Sequence, residues 1–350
     1  MNKIKRVILL ALLLRLVGIF IFRNIDNYDL KSYFQIGELT FKGINIYPRI
    51  ANLHHPYFPF FLYVEAFVFW LTRNKLIFIT IIKFINVLFD LGNLYLIYLL
   101  SKKNPKSAFF YAINPVSILI FTLHGQFDAI PLFFLLLSLV TLRVTKHENP
   151  WTPLGCLIFS MAVMIKTWPL LFVISVYKRL RNKKLIILVL LFPLISVIIY
   201  SLLFKTSIIN IVNTIVNYQG LWGIWGLWGL LGKWRLRWQK ISTLIFLLSF
   251  FVYSYLNKKR NILKEILYLL LFFFAFTTNF SVQYFSWLMP FLAIIRPKYY
   301  WFLTLAITIF LSFSYASWIF PLISPTVLIT FSLTLWIYLA SFFWMAYRKK

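Results

Sequence analysis

Acidic residues are scarce in this chain: eight Asp and Glu stand against thirty-six Lys and Arg in 350 residues, a formal charge of +28. In a soluble protein that balance would point to nucleic acid. Here the bases gather in short clusters between apolar runs, the pattern of the positive-inside rule. Membrane lipids with anionic headgroups are then the expected partners, and nucleic acid is not. Cysteine is almost absent as well. Cys156 stands alone inside an apolar run, which excludes an intrachain disulfide and any cysteine-based metal site. Charged residues of either sign make up only 13% of the chain, while 61% is hydrophobic. A soluble domain of this length lacks the polar surface to cover so much apolar side chain, so lipid must solvate it. The expected fold class is an all-α polytopic membrane protein, with 1–350 forming a single integral membrane domain.

Apolar runs lie near 7–22, 56–71, 76–100, 107–123, 129–144, 151–165, 167–177, 185–204, 241–256, 266–280, 284–295, 299–320 and 323–347. The first follows Lys3, Lys5 and Arg6 as in a signal peptide. But Arg23, Asn24 and Asp26 come after it with no small-residue cleavage site, so an uncleaved first span is expected. The other basic clusters are Lys102/Lys103/Lys106, Arg143/Lys146, Lys178–Lys184, Lys258–Lys264, Arg296/Lys298 and Arg348–Lys350. All of them reach the cytoplasm if every run crosses except 56–71. That run opens with His54, His55, Pro56 and Pro59 and carries Glu65, which fits an interfacial or re-entrant helix better than a span. The expected topology is about twelve crossings with both termini cytoplasmic and a long first outer segment over 23–75.

A second outer segment, 205–240, repeats glycine at 220, 223, 226, 229 and 232 and interleaves Trp222, Trp225 and Trp228. It reads either as an aromatic belt at the interface or as a platform for a sugar or lipid tail. Lys233, Arg235, Arg237 and Lys240 follow on the outer side, where an anionic ligand would use them. No further internal repeat is visible, which weakens a transporter of two related halves.

With eight acids, each position is informative. Asp26, Asp29, Glu38 and Glu65 fall in the first outer segment, Asp90 inside a span, and Asp128 at the outer mouth of one, while Glu148 and Glu265 accompany cytoplasmic bases. Residues 28–42 read as an amphipathic helix on the outer leaflet, with Leu30, Phe34, Gly37 and Phe41 as its apolar stripe. Asp26 and Asp29, three apart, would share a face near its start and either cap the helix or do chemistry. Asn114–Pro115 and then His124–Gly125–Gln126–Phe127–Asp128 form a second polar run on the same side. It is either a solvated turn or part of a site. Asp90 fits a buried structural partner of Arg15 or Lys83.

In this order, these residues resemble the GT-C membrane glycosyltransferases that take sugar from a polyprenyl-phosphate carrier. The resemblance is carried by Asp29–x3–Tyr33–x9–Gly43–x3–Tyr47, His55–Pro56–Tyr57–x–Pro59, Asn114–Pro115 with His124 to Asp128, Lys166–x–Trp168–Pro169, and Gln283–Tyr284–x2–Trp287–x2–Pro290. It covers most of the chain and thins after about 300. The chain looks like the dolichyl-phosphoglucose-dependent glucosyltransferases, the first mannosyltransferase of GPI-anchor synthesis and bacterial lipid-glycan mannosyltransferases. The resemblance implies transfer of a hexose from a polyprenyl-phosphate sugar donor to a glycolipid or glycan acceptor on the outer face. Asp29, or its neighbour Asp26, is then the catalytic base, which takes the proton of the attacking hydroxyl. Substrate contacts would fall to Tyr33, His54, His55, His124, Gln126, Asp128, Lys166, Arg235, Arg237, Gln283 and Tyr284, with Lys166 the best cation for the leaving phosphate unless it snorkels. No cofactor is required, though relatives with Asp-x-Asp leave a divalent metal possible; here the spacing is Asp26–x2–Asp29. The competing classes are a transporter or flippase of lipid-linked sugars and a non-catalytic assembly partner.

Overall fold

The computed structural model describes residues 3–49, 53, 55–143, 152–217, 225–226, 234–257, 261–319 and 324–348. Among these the chain is all-helical, with sixteen α-helices, several short 3-10 turns and no strand. It divides into two compact units. The first takes Met1–Ile113, Ser117–Leu170 and Arg179–Gln219, and the second takes Asn114–Val116, Leu171–Lys178 and Gly220–Lys350.

The first unit opens with α1 (Lys3–Ile21), α2 (Tyr28–Phe41), α3 (Phe60–Leu71), α4 (Lys75–Leu100) and α5 (Pro105–Ala112). After α6 (Pro115–Ile118) the chain continues as a π-helical turn, Leu119–His124, followed by α7 (Ala129–Arg143) and α8 (Pro153–Ile165). Beyond α9 (Val173–Arg179) of the second unit come a 3-10 stretch, Lys183–Leu190, then α10 (Leu191–Leu203) and α11 (Ile208–Asn217). Asparagine starts many of these helices. Asn74, Asn104 and Asn182 each accept a hydrogen bond from an amide of the first turn, and Pro105 and Pro153 occupy N-terminal positions where no donor is lost.

Packing follows the apolar faces. Leu30, Tyr33, Phe61, Phe78 and Phe127 share one buried cluster joining α2, α3 and α4. At Gly37 a Cβ would meet the Glu65 carbonyl oxygen at 2.7 Å, so α2 lies close against α3. The stripe expected to rest on lipid therefore packs largely on protein: Leu30 is fully buried and Phe34 half-buried, and only Phe41 stays exposed. Deeper in the unit, Arg15 of α1 donates to Asp90 of α4 at 2.5 Å and to the Ala112 carbonyl at 2.6 Å, and Tyr111 donates to the other Asp90 oxygen at 2.5 Å. This is the structural partnership expected for Asp90. Lys83 instead donates to the Phe22 carbonyl at 3.0 Å.

Four helical stretches are long and apolar enough to cross a membrane: Lys75–Leu100, Lys183–Leu203, Tyr300–Ser317 and Pro325–Met345. A fifth is Pro105–Ala112 with Pro115–His124 if that pair is one broken span. The pair bends by 50° where Pro115 follows Asn114, because a proline disfavours the helical region for the residue before it. Several other apolar helices, α3, α7 and α8 among them, run shorter than the roughly 20 residues of a full crossing.

The second unit contains α9, α12 (Trp234–Leu256), α13 (Ile262–Phe276), α14 (Phe285–Ile295), α15 (Tyr300–Ile319) and α16 (Pro325–Arg348). Here Glu265, fully buried, accepts from Ser175 at 2.6 Å and pairs with Lys178 at 2.8 Å, so it does more than balance surface charge. Within the segment expected as an outer loop, α11 and the first turns of α12 are helical. Of its glycine and tryptophan repeat only Trp225 and Gly226 are described. Trp225 is buried, stacks on Phe280 at 4.2 Å and donates to the Phe274 carbonyl at 2.8 Å. It is a core side chain of this unit, neither belt nor platform.

Candidate functional site

The site begins with the start of α2. The Asn27 side-chain oxygen accepts the Leu30 amide at 2.9 Å, so capping falls to Asn27 and to neither acid. The Asn27 amide nitrogen donates to the His124 carbonyl at 2.8 Å. One residue thereby starts the helix and pins the histidine turn beside it. That turn ends at Gly125, whose φ is +78° and where a Cβ would meet a Leu30 methyl at 2.7 Å; only glycine suits both demands. Asn86 donates to the Gly125 carbonyl at 3.2 Å, eleven residues into α4 and about 16 Å along its axis. His124, Gln126 and Asp128 are at most 2% exposed. The alternative of an ordinary solvated turn is therefore overturned: its polar groups face protein, where each needs a partner.

Those partners form a chain of contacts that ends at Asp29. The Asp128 carboxylate, fully buried, receives Lys166 at 2.7 Å. Lys166 also donates to the Gln126 side-chain oxygen at 3.1 Å, and the Tyr33 hydroxyl donates to that oxygen at 3.1 Å. With both donors on its oxygen, the Gln126 amide must turn its nitrogen outward, and it donates to Asp29 Oδ2 at 2.5 Å. His124 Nε2 lies 2.8 Å from the same oxygen and donates there, since an ionised carboxylate only accepts. Asp29 Oδ1 receives neither donor. The Asp29 side chain is 22% exposed, whereas the side chains of His124 and Lys166 behind it are only 3% and 4% exposed. The cluster thus leaves the Asp29 carboxylate partly accessible and keeps its supports dry.

Burial pulls the Asp29 acid constant upward. The His124 hydrogen bond, the charges of His124 and Lys166 and the Gln126 bond outweigh it and hold the carboxyl below its ordinary 3.8. Asp29 is therefore an anion at neutral pH. Burial, and then the negative charge of Asp29, pushes the Tyr33 phenol well above its usual value, so it remains a donor to Gln126.

His55 is fully buried with its ring near Tyr33, Tyr57, Phe61 and Phe127. Burial, and then the charge of Lys166, lowers it to about 3, so it is neutral. Its Nδ1 lies 3.9 Å from Glu65, too far for a hydrogen bond, and burial raises Glu65 toward its neutral form. The two are neighbours and not an ion pair.

Several expectations need correction. Asp26 and Asp29 do not act as a pair. Asp26 lies outside α2 and turns to Lys75 at 2.5 Å and Lys31 at 3.8 Å, while Asp29 turns inward. Lys166 neither snorkels nor stands free for a phosphate, because a buried ammonium requires a counter-charge and Asp128 supplies it. Aromatic faces complete its cage, with Phe127 at 4.0 Å and Tyr57 at 4.8 Å. Gln283 and Tyr284 belong to the second unit; Gln283 accepts from Ser281, and Tyr284 stacks on Trp287 at 4.2 Å. Asn114, in the same unit, donates to the Tyr300 hydroxyl at 3.1 Å. His54 lies outside the described residues, as do the side chains of Arg235 and Arg237 at the start of α12. Asn27, Asn86, Lys31 and Lys75 are contributors that the sequence reading missed. For Asn27 the signal was there, a good capping residue just before a helical stripe.

Among the described residues no three His, Cys, Asp or Glu side chains gather where an ion could sit. Asp26 is engaged by two lysines and Asp29 by His124 and Gln126. Among the described residues these two acids therefore offer no shared ligand set for a divalent metal. Comparison with protein-family models, with curated proteins and with solved structures finds no match to this chain.

Proposed function

We propose that the chain is an inverting membrane glycosyltransferase of GT-C type, moving one hexose from a polyprenyl-phosphate carrier to a glycolipid or other glycan acceptor. The observation that carries this reading is Asp29: two buried donors share one of its oxygens, and its side chain is 22% exposed at the edge of an otherwise dry polar cluster. A solvated surface acid needs no such support, and the structural acid Asp90 differs in being fully buried and paired on both oxygens, by Arg15 and Tyr111.

The chemistry follows from that placement. The acceptor hydroxyl oxygen forms a bond to C1 of the donor sugar while Asp29 Oδ1 takes its proton. The bond from C1 to the phosphate oxygen breaks, and its electron pair leaves on the phosphate, giving free polyprenyl phosphate. Attack and departure occur on opposite faces of C1, so one base suffices and the configuration inverts. Tyr33, Lys166 and Asp128 act through Gln126 and are positioning residues.

Twelve crossings with cytoplasmic termini put this site on the outer face. The two ends of α4 support the sidedness, since Lys75 and Asp26 meet at one end while Lys102 and Lys103 follow the other. At 26 residues, about 39 Å, α4 exceeds the roughly 30 Å hydrocarbon core. The test is transfer by purified protein in nanodiscs, with radiolabelled polyprenyl-phosphate mannose, glucose, galactose and arabinose offered singly. Transfer of one sugar that is lost in Asp29→Asn is the expected result. No transfer of any sugar across a panel of lipid-linked acceptors would sink the reading.

A further inference from the structure

The proposed reaction needs cations for its leaving phosphate, and the cation singled out in the sequence, Lys166, is buried and neutralised by Asp128. Near Asp29 another pair is available. Lys75, at the first position of α4, and Lys31, one turn into α2, both reach the Asp26 carboxylate, at 2.5 Å and 3.8 Å. Their side chains are 40% and 56% exposed and Asp26 is 33% exposed, so unlike Lys166 they face outward. Asp26 is three residues from Asp29, a separation the backbone limits to about 11 Å. The two lysines are thus held by a carboxylate only three residues from the base.

We propose that Lys31 and Lys75, gathered by Asp26, form the binding site for the phosphate of a lipid-linked donor at the outer end of α4. This inference rests on the glycosyltransferase reading. Asp26, which neither caps α2 nor joins Asp29, gains a role as the carboxylate that holds two ammonium groups side by side. Lysine suits the task as a mobile point charge, since it can leave a carboxylate for a phosphate without the fixed geometry a guanidinium imposes. The looser of the two contacts, Lys31 at 3.8 Å, is the one a phosphate would capture first. A span start at the interface also leaves the isoprenoid tail in lipid while its phosphate meets the lysines.

The test is direct binding of farnesyl phosphate, which carries no sugar, to protein in nanodiscs of zwitterionic lipid. We expect Lys31→Gln/Lys75→Gln to weaken binding by about tenfold or more, and Lys31→Arg/Lys75→Arg to restore most of it. Exposed ion pairs contribute little to stability, so these variants should fold; if the double variant does not, each single glutamine variant should still weaken binding severalfold. Farnesol and inorganic phosphate should fail to compete. Unchanged binding in the glutamine variants, no binding by the wild type, or equal competition by inorganic phosphate would each overturn the proposal. Asp29→Asn separates this site from the reaction, because it should lose transfer yet bind farnesyl phosphate at least as tightly as the wild type does. Lysine-dependent binding without transfer of any sugar would remove the transferase reading and leave the site. Transfer with lysine-independent binding would do the reverse.

Discussion

At the scale of single residues, Asp29 and Asp26 divide the labour that the sequence offered to both. Asp29→Asn keeps the size of the side chain but cannot accept a proton, so transfer should fall by about two to four orders of magnitude in a protein that still inserts and folds. Asp26→Asn, at a surface ion pair, should keep transfer within about tenfold. Activity in both variants would remove the base from the mechanism. A second expectation concerns pH. The folded Asp29 lies below its ordinary 3.8, so its ionised form adds stability that is complete above that value and is lost as pH falls through the lowered one. The acid limb of the rate profile should fall in the same low window. Lys166→Met/Asp128→Leu removes a helpful charge without orphaning its partner. The Asp29 value then rises and the acid limb moves to higher pH; an unmoved limb would show that the Lys166–Asp128 pair does not hold Asp29 down. Much of this was legible because a polar residue in an apolar chain is costly, so His124, Gln126, Asp128 and Lys166 stood out. Their pairing was not legible. Lys166 and Asp128 are separated by 38 residues of sequence, and a lone lysine reads equally as snorkelling or paired until its neighbour is known. Likewise Asp26, Asn27 and Asp29 are all good caps, and only the backbone decides for Asn27.

At the scale of elements, the short stretches of broken helix do what a straight span could not. The run 107–123 reads as one apolar crossing, yet it bends by 50° at Asn114–Pro115 and ends in a π turn that delivers His124 to Asp29. The proline gave the place of the bend but not its angle, and nothing in the local pattern announces a π turn. The helix 28–42 was legible from its stripe, though not its burial against α3, which depends on the close approach at Gly37. Behind the site, α1, α4 and α5 are clamped by Arg15, Asp90 and Tyr111, all buried. Asp90→Ala leaves an unpaired guanidinium in a dry interior and should cost about 3–5 kcal/mol, read as a large drop in the melting temperature of detergent-solubilised protein. Arg15→Met/Asp90→Leu removes both charges and should recover most of that loss. If the double variant is no better than the single, the clamp contributes more than charge balance, and a polar path through these helices, as a flippase would need, becomes the reading to test.

For the whole molecule, composition settled the helical class and basic clusters supplied a sidedness, but neither fixes how many helices cross. Four or five stretches pass by length and apolarity, and the twelve proposed crossings include helices too short to span alone. Short, bent pairs complete a crossing only where protein, not lipid, surrounds their broken backbone. The Arg15 clamp and the Asn86 contact with Gly125 provide such surroundings in the first unit. The chain offers a direct experiment. Cys156 is its one cysteine and is buried, so Cys156→Ala gives a silent background for accessibility labelling. In that background Lys31→Cys should react with an impermeant maleimide added outside intact cells, because Lys31 is exposed and the proposed topology puts the start of α4, which it neighbours through Asp26, outside. Lys103→Cys, past the far end of α4, should react only after permeabilisation, as should a cysteine at Arg181. Lys31 meets the start of α4 through the Asp26 contact with Lys75, and Lys103 follows its far end, so the two must label from opposite sides if α4 crosses. Labelling of both from outside would show that α4 does not span. Labelling of Lys103→Cys from outside with Lys31→Cys protected would invert the protein and move Asp29 to the cytoplasmic face, against the positive-inside rule. Either result would remove the outer-face transferase while leaving the Asp29 cluster intact. The measurement therefore tests the sidedness separately from the chemistry.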